Sequence, residues 1–96
     1  MKLKKILCCC GSGLGSSMLV RMNVDKVLKK LNITGIDVSH SSVSDAVPNA
    51  ADLFVVGSDL KHFTKNLPFV IYLDNIVSLV ELETKMVAFL KEQDLL

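Results

Sequence analysis

Three adjacent thiols, Cys8, Cys9 and Cys10, run directly into Gly11, Ser12, Gly13, Leu14, Gly15, Ser16 and Ser17. The stretch joins a candidate nucleophile to a backbone cradle for an anion. Glycines on alternate positions accept positive φ angles and let a ligand reach the main chain without Cβ obstruction, so the loop amides can turn inward. A helix beginning at the serines adds its unpaired N–H groups and the positive end of its dipole, which suits a dianionic phosphate. Ser12, Ser16 and Ser17 add hydroxyl donors. The same field lowers the pKa of a thiol at the loop edge below the free value of roughly 8.5 and makes it nucleophilic near neutral pH. Cys10 alone stands at that edge. Cys8 and Cys9 fall inside the preceding segment, where cysteine serves as a small apolar residue. One thiol is therefore expected to react and two to pack.

Other chemistries fit these residues less well. Adjacent cysteines in odd number make no disulfide framework, because neighbours in a strand point to opposite faces. No C-x-x-C is present, and His40 and His62 stand at no metal-ligand spacing, so neither metal nor cofactor is expected. A G-x-G-x-x-G dinucleotide fingerprint needs its third glycine one place later, and a Walker A loop needs G-K-[ST]. A cysteine phosphatase holds its phosphate in a C-x-x-x-x-x-R loop, and counted from Cys10 the arginine's place is taken by Ser16. Without a guanidinium clamp or an acid to protonate the leaving group, such a loop holds a phosphoryl group on sulfur and does little to hydrolyse it. A low-molecular-weight cysteine phosphatase or oxyanion reductase stays as the alternative.

The loop requires a strand ending at Cys10 and a helix starting at the serines, and the chain supplies both patterns. Lys4 to Cys10 turns continuously apolar, as a strand covered on both faces does. Val20, Val24, Val27, Leu28 and Leu31 then recur at helical spacing, with lysines 26, 29 and 30 at the C-terminal pole. Further strands are expected at Ile36–Ser39, Asp52–Val56 and Phe69–Leu73, with the polar segment after Ser39 forming a brief turn capped by Ser44 or Asp45. Ser58 to Asn66 reads as a connection with room for one helical turn. Ser78 and Glu81 have capping-box spacing, and a closing helix is expected from about Ile76 to Glu92. Strands alternating with helices imply an α/β fold, a four-stranded parallel sheet with helices on both faces, built as one domain over residues 1–96. In such sheets ligands gather at the carboxyl ends of the strands, where Cys10 lies.

A formal net charge of +1 from 11 basic and 10 acidic side chains gives no footprint for nucleic acid. No apolar stretch approaches the roughly 20 residues that a spanning helix needs. Met18 and Met22 read as core, with a docking surface as the second reading. His40 and His62 read as solvated loop histidines. Arg21, well inside the first helix, is too far along to replace a loop arginine and could meet an acidic partner.

The run K-K-I-L-C-C-C-G-S-G-L-G-S-S-M resembles the start of the IIB components of bacterial sugar phosphotransferase systems. The likeness is greatest to the ascorbate type, with its C-G-x-G-x-G-S-S-M between a strand and a helix, and the galactitol type is more distant. The resemblance implies a cytoplasmic phosphocarrier whose Cys10 takes a phosphoryl group from a phosphohistidine on a IIA partner. It then passes the group to a sugar or polyol at the membrane-embedded IIC transporter, on the inner face of the membrane. On the same resemblance Gly11 to Ser17 become the phosphate-binding loop. His40, Asp59 and His62 match no family motif and receive no role.

Overall fold

The unbroken apolar run before the loop becomes strand β1, Lys5–Cys10, and both of its faces are covered: Ile6, Leu7, Cys8 and Cys9 are all buried. The computed structural model describes residues 2–10 and 16–96. Strands β2 (Asp37–Ser42), β3 (Leu53–Gly57) and β4 (Val70–Leu73) join β1 in a four-stranded sheet of order β2-β1-β3-β4, and every neighbouring pair is parallel. Helix α1 spans Ser16–Lys30 and α2 spans Leu79–Glu92. The expected α/β architecture with a four-stranded parallel sheet is the one observed.

Helices lie on both faces, but they differ in kind. Alternation along the strands sends Ile6, Cys8, Leu53, Val55, Ile71 and Leu73 to one side. There they pack against Val20, Val24, Val27 and Leu28 of α1 and Leu82 and Met86 of α2. The opposite side carries Leu7, Cys9, Phe54 and Val56, and it is closed by Ala46, Ala51, Leu60 and Leu67 from the connections. Those connections hold only short 3-10 segments, Val43–Asp45 and Ser58–Phe63. Thr64 pins the second of them, donating to the Leu60 carbonyl at 3.0 Å and meeting the Tyr72 hydroxyl at 2.7 Å. Each fully covered Val, Leu, Ile or Phe side chain contributes roughly 1.5–3 kcal/mol relative to exposure, so both layers matter to stability.

Three element ends differ from the sequence pattern, each for a visible reason. The pattern ends β2 at Ser39, yet the strand continues through His40, Ser41 and Ser42 because β1 offers Cys8, Cys9 and Cys10 in register. An edge strand tolerates such polar residues. The turn after it has Ser42 at its N-cap without a side-chain cap, so neither Ser44 nor Asp45 plays that part. Helix α2 starts at Leu79, not near Ile76, because the Ser78 hydroxyl accepts the Glu81 N–H at 3.1 Å.

The reciprocal half of the capping box is absent. The Glu81 carboxylate instead accepts the N–H groups of Asp74 at 2.8 Å and Asn75 at 2.9 Å, together with the Lys85 ammonium at 2.8 Å. The Lys85 hydrogen bond first, and then the two amides, hold the Glu81 carboxyl at about 2. This carboxylate fixes the turn between β4 and α2, which forms one wall of the site described below.

Both helices close alike. Asn32 and Asp94 take positive φ angles of 59° and 56°. Beyond them, Ile33 donates to the Leu28 carbonyl and Leu95 to that of Leu90, which is the 6→1 bond of a Schellman end. Asn and Asp enter this left-handed region more easily than most residues. Helix α1 thus stops after Lys29 and Lys30, whose charges suit its negative pole.

Candidate functional site

The strand order decides where a ligand can enter. From β1 the chain passes to β2 on one side, and from β3 it passes to β4 on the other, so the two central strands part company at their carboxyl ends. Such a switch point leaves a crevice between neighbouring strands. A cavity of about 190 Å³ lies there, lined among the described residues by Cys9 and Cys10 of β1, Ser16 of α1, Gly57 of β3, Asp59 and Ile76.

The three thiols separate as their positions in the strand demand. Cys8 is fully buried under α1, and burial above all pushes its thiol far above the ordinary range, with the neighbouring Cys9 and Asp25 adding to the shift. Cys9 points to the opposite layer and is 3% exposed; burial, then the charge of Asp45 and the neighbouring Cys10, raise it to about 11. Cys10, the last residue of β1, is only partly buried and borders the cavity. Burial therefore disarms the first two thiols and leaves Cys10 as the accessible one.

Gly11, Ser12, Gly13, Leu14 and Gly15, the expected body of the phosphate-binding loop, lie outside the described residues. The two serines that follow them part ways. Ser16, the first residue of α1, is exposed and lines the cavity. Ser17 is completely buried, and its hydroxyl meets Nδ1 of His40 at 3.3 Å. Both occupy the first turn of α1, where backbone N–H groups have no partner within the helix and the dipole is positive.

Several residues stand elsewhere than their sequence context suggests. His40 is not in a loop: it belongs to β2, opposite Cys8, and reaches across to α1. Met18 and Met22 are not core, being 47% and 46% exposed on the first turns of α1. Arg21 lies 3.7 Å from Asp25, with its Nε buried and unpaired. Val77, next in sequence to the cavity-lining Ile76, and Val80, in the first turn of α2, are exposed.

Gly57 and Asp59 carried no signal in the sequence. A Cβ at Gly57 would stand 2.5 Å from Asp59 Oδ1 and 3.4 Å from the Ile76 side chain. The bare glycine is what lets the carboxylate fold over the end of β3. Only a forecast that β1 and β3 are neighbours could have brought Asp59 to Cys10.

Among the described residues no three His, Cys, Asp or Glu side chains converge as metal ligands would, and no helix is long and apolar enough to cross a membrane. No curated protein matches the chain. A family model does, over residues 5–91, and its description is "PTS system, Lactose/Cellobiose specific IIB subunit". The description names lactose and cellobiose where the loop motif resembles the ascorbate type; what the two share is the IIB component. With the match running from the first residue of β1 almost to the end of α2, the chain belongs to the IIB family of the sugar phosphotransferase system, whose members are phosphocarriers that work with IIA and IIC components.

Proposed function

We propose that Cys10 is the residue that carries the phosphoryl group, taken from a phosphohistidine on a IIA protein and given to a sugar or polyol presented by a IIC transporter. The observation that supports this most is the contrast among the three thiols. Of the three, Cys10 is the one left partly exposed at the crevice that Ser16 of α1 also lines, while burial holds Cys8 and Cys9 protonated.

The Cys10 thiolate attacks phosphorus in line with the phosphorus–nitrogen bond of the donor, and the bonding pair leaves with the imidazole. Backbone donors of the Gly11–Ser17 loop and the α1 terminus balance the charge on the equatorial oxygens through the transfer. In the second half-reaction a substrate hydroxyl attacks the same phosphorus, and the sulfur–phosphorus pair returns to Cys10. Held positions supply most of the advantage, because phosphoryl transfer asks for alignment and charge balance more than for covalent help.

Met18 and Met22, exposed on the helix whose first residue, Ser16, lines the crevice, give the two partners an apolar surface. Methionine repacks easily against different shapes, which suits a carrier that meets two proteins in turn. The ascorbate-like loop favours an ascorbate-like sugar or polyol as substrate, and the family description offers a disaccharide as the second reading. The carrier works at the inner face of the membrane, brought there by the transporter.

The test is intact-mass measurement after incubation with phosphoenolpyruvate, the general phosphotransferase proteins and the IIA protein. The wild-type chain gains one phosphoryl group and Cys10→Ser gains none, since a serine hydroxyl is a far weaker nucleophile near neutral pH. An equal gain by Cys10→Ser would defeat the proposal.

A further inference from the structure

Ser17 is completely buried in the first turn of α1, and its hydroxyl is shared with a residue to which phosphoryl storage on sulfur has so far given no part. His40 stands on β2 directly opposite Cys8, and its Nδ1 lies 3.3 Å from Ser17 Oγ. Val38, two residues earlier on the same strand, packs into the α1 layer, so alternation turns His40 toward α1 as well. The same alternation along β1 turns Cys8 and Cys10 to that face. His40 thus reaches from the neighbouring strand to the first helical turn, on the side of the sheet where Cys10 ends β1.

A hydroxyl has one proton, and the ring decides where it goes. With Nδ1 bare, His40 accepts that proton, and Ser17 has only lone pairs to turn toward an incoming group, which an anionic oxygen repels. With a proton on Nδ1, the ring donates to Ser17 Oγ, and the hydroxyl is released to donate in its turn to an anionic oxygen. At 3.3 Å the contact is long, so little is lost in reversing its direction. His40 is exposed on an edge strand, which lets its ring exchange protons with water.

Resting on Cys10 as the phosphoryl carrier, we infer that His40 is a positioning residue for that chemistry: it takes the Nδ1–H form when Cys10 is loaded and so makes the Ser17 hydroxyl a donor to the phosphoryl group. The only bond that changes at His40 is the one to the Nδ1 proton, which comes from solvent and returns to it when the phosphoryl group leaves. The chain of hydrogen bonds runs from ring to hydroxyl to phosphoryl oxygen, and its last member ends on an ionised acceptor, which makes it roughly twice as strong as a neutral bond. The burial of Ser17 then serves the carrier, because water does not compete for the hydroxyl.

The experiment reads the ring directly. The isotope-labelled chain is followed by long-range proton–nitrogen correlation NMR before and after loading from the IIA protein, with excess phosphoenolpyruvate and the general phosphotransferase proteins keeping it loaded. On loading, Nδ1 of His40 should pass from the bare to the protonated state, while His62, in the 3-10 segment Ser58–Phe63, stays as it was. Initial rates of phosphoryl uptake are then compared for Ser17→Ala, His40→Ala and the double variant. Loss of one hydrogen bond to a charged group should slow each single variant on the order of tenfold. The double variant should be no slower than the singles, since the two side chains act as one unit.

An Nδ1 of His40 that is in the same state before and after loading overturns the inference, and that result comes from the wild-type chain, however the variants fold. Losses that multiply in the double variant overturn it too, because the two side chains then act separately. So does uptake by His40→Ala at the wild-type rate. If the wild-type chain takes up no phosphoryl group on Cys10, the carrier assignment falls and this inference with it, and intact mass reveals that before any spectrum is recorded.

Discussion

Alkylation ranks the three thiols against one another, and the structure predicts the order with a magnitude. The perturbation is iodoacetamide at pH 7.5 under reducing, native conditions, which reacts with thiolate and not with thiol. Cys9, raised to about 11 by burial and by the charges of Asp45 and Cys10, is the nearest competitor. At that pH about three in ten thousand of its molecules are thiolate, against about one in ten for an ordinary thiol near 8.5, a ratio of about 300-fold. Cys8 is raised further and is 0% exposed, so it is slower still. Poor access to buried sulfur widens both gaps. The assay is intact mass against time, followed by peptide mapping of the singly modified chain. One label should appear on Cys10 well before any second, and the other two should come together only when guanidinium unfolds the protein. Labelling of Cys9 within tenfold of the Cys10 rate would refute the argument that burial sorts these thiols.

Three further outcomes follow from packing and charge. Because the folded Glu81 carboxyl is held at about 2 against an ordinary 4.5, its stabilisation is complete above about pH 4.5 and is lost as the pH falls toward 2. The difference in Tm between wild type and Glu81→Gln should therefore be widest near neutrality and close through that acid window, as thermal unfolding at a series of pH values will read. Phe54→Ala empties a fully buried position beneath the 3-10 layer and should cost about 3–5 kcal/mol in urea unfolding. A loss under about 1 kcal/mol would mean that this layer is loosely packed. Met18→Lys with Met22→Lys should slow phosphoryl uptake from a IIA protein while leaving Tm within a few degrees, since both side chains are about half exposed.

What could be read from the sequence follows from how local each signal is. The apolar run into Cys10, the heptad-like valines of α1 and the Ser78 cap each reflect a single element, and each formed close to where the pattern put it. The far half of β2 was hidden because His40, Ser41 and Ser42 are strand residues only by virtue of the partners that β1 offers. Met18 and Met22 misled because their spacing follows the helix while their direction follows the sheet end they border. Glu81 kept the spacing of a capping box and yet turned to the preceding turn, where Lys85 and two free amides made a better site. The crevice was least legible. Cys10, Gly57, Asp59 and Ile76 come from chain segments far apart in sequence, and only the strand order brings them together.

The central claim is the identity of one atom, and tandem mass spectrometry of the phosphorylated chain tests it most directly. Peptides are fragmented under conditions that preserve labile phosphoryl bonds, after loading from the IIA protein. The account predicts the phosphoryl group on the sulfur of Cys10, with Cys8 and Cys9 unmodified. A phosphoryl group on His40, His62, a loop serine or either buried thiol would contradict it.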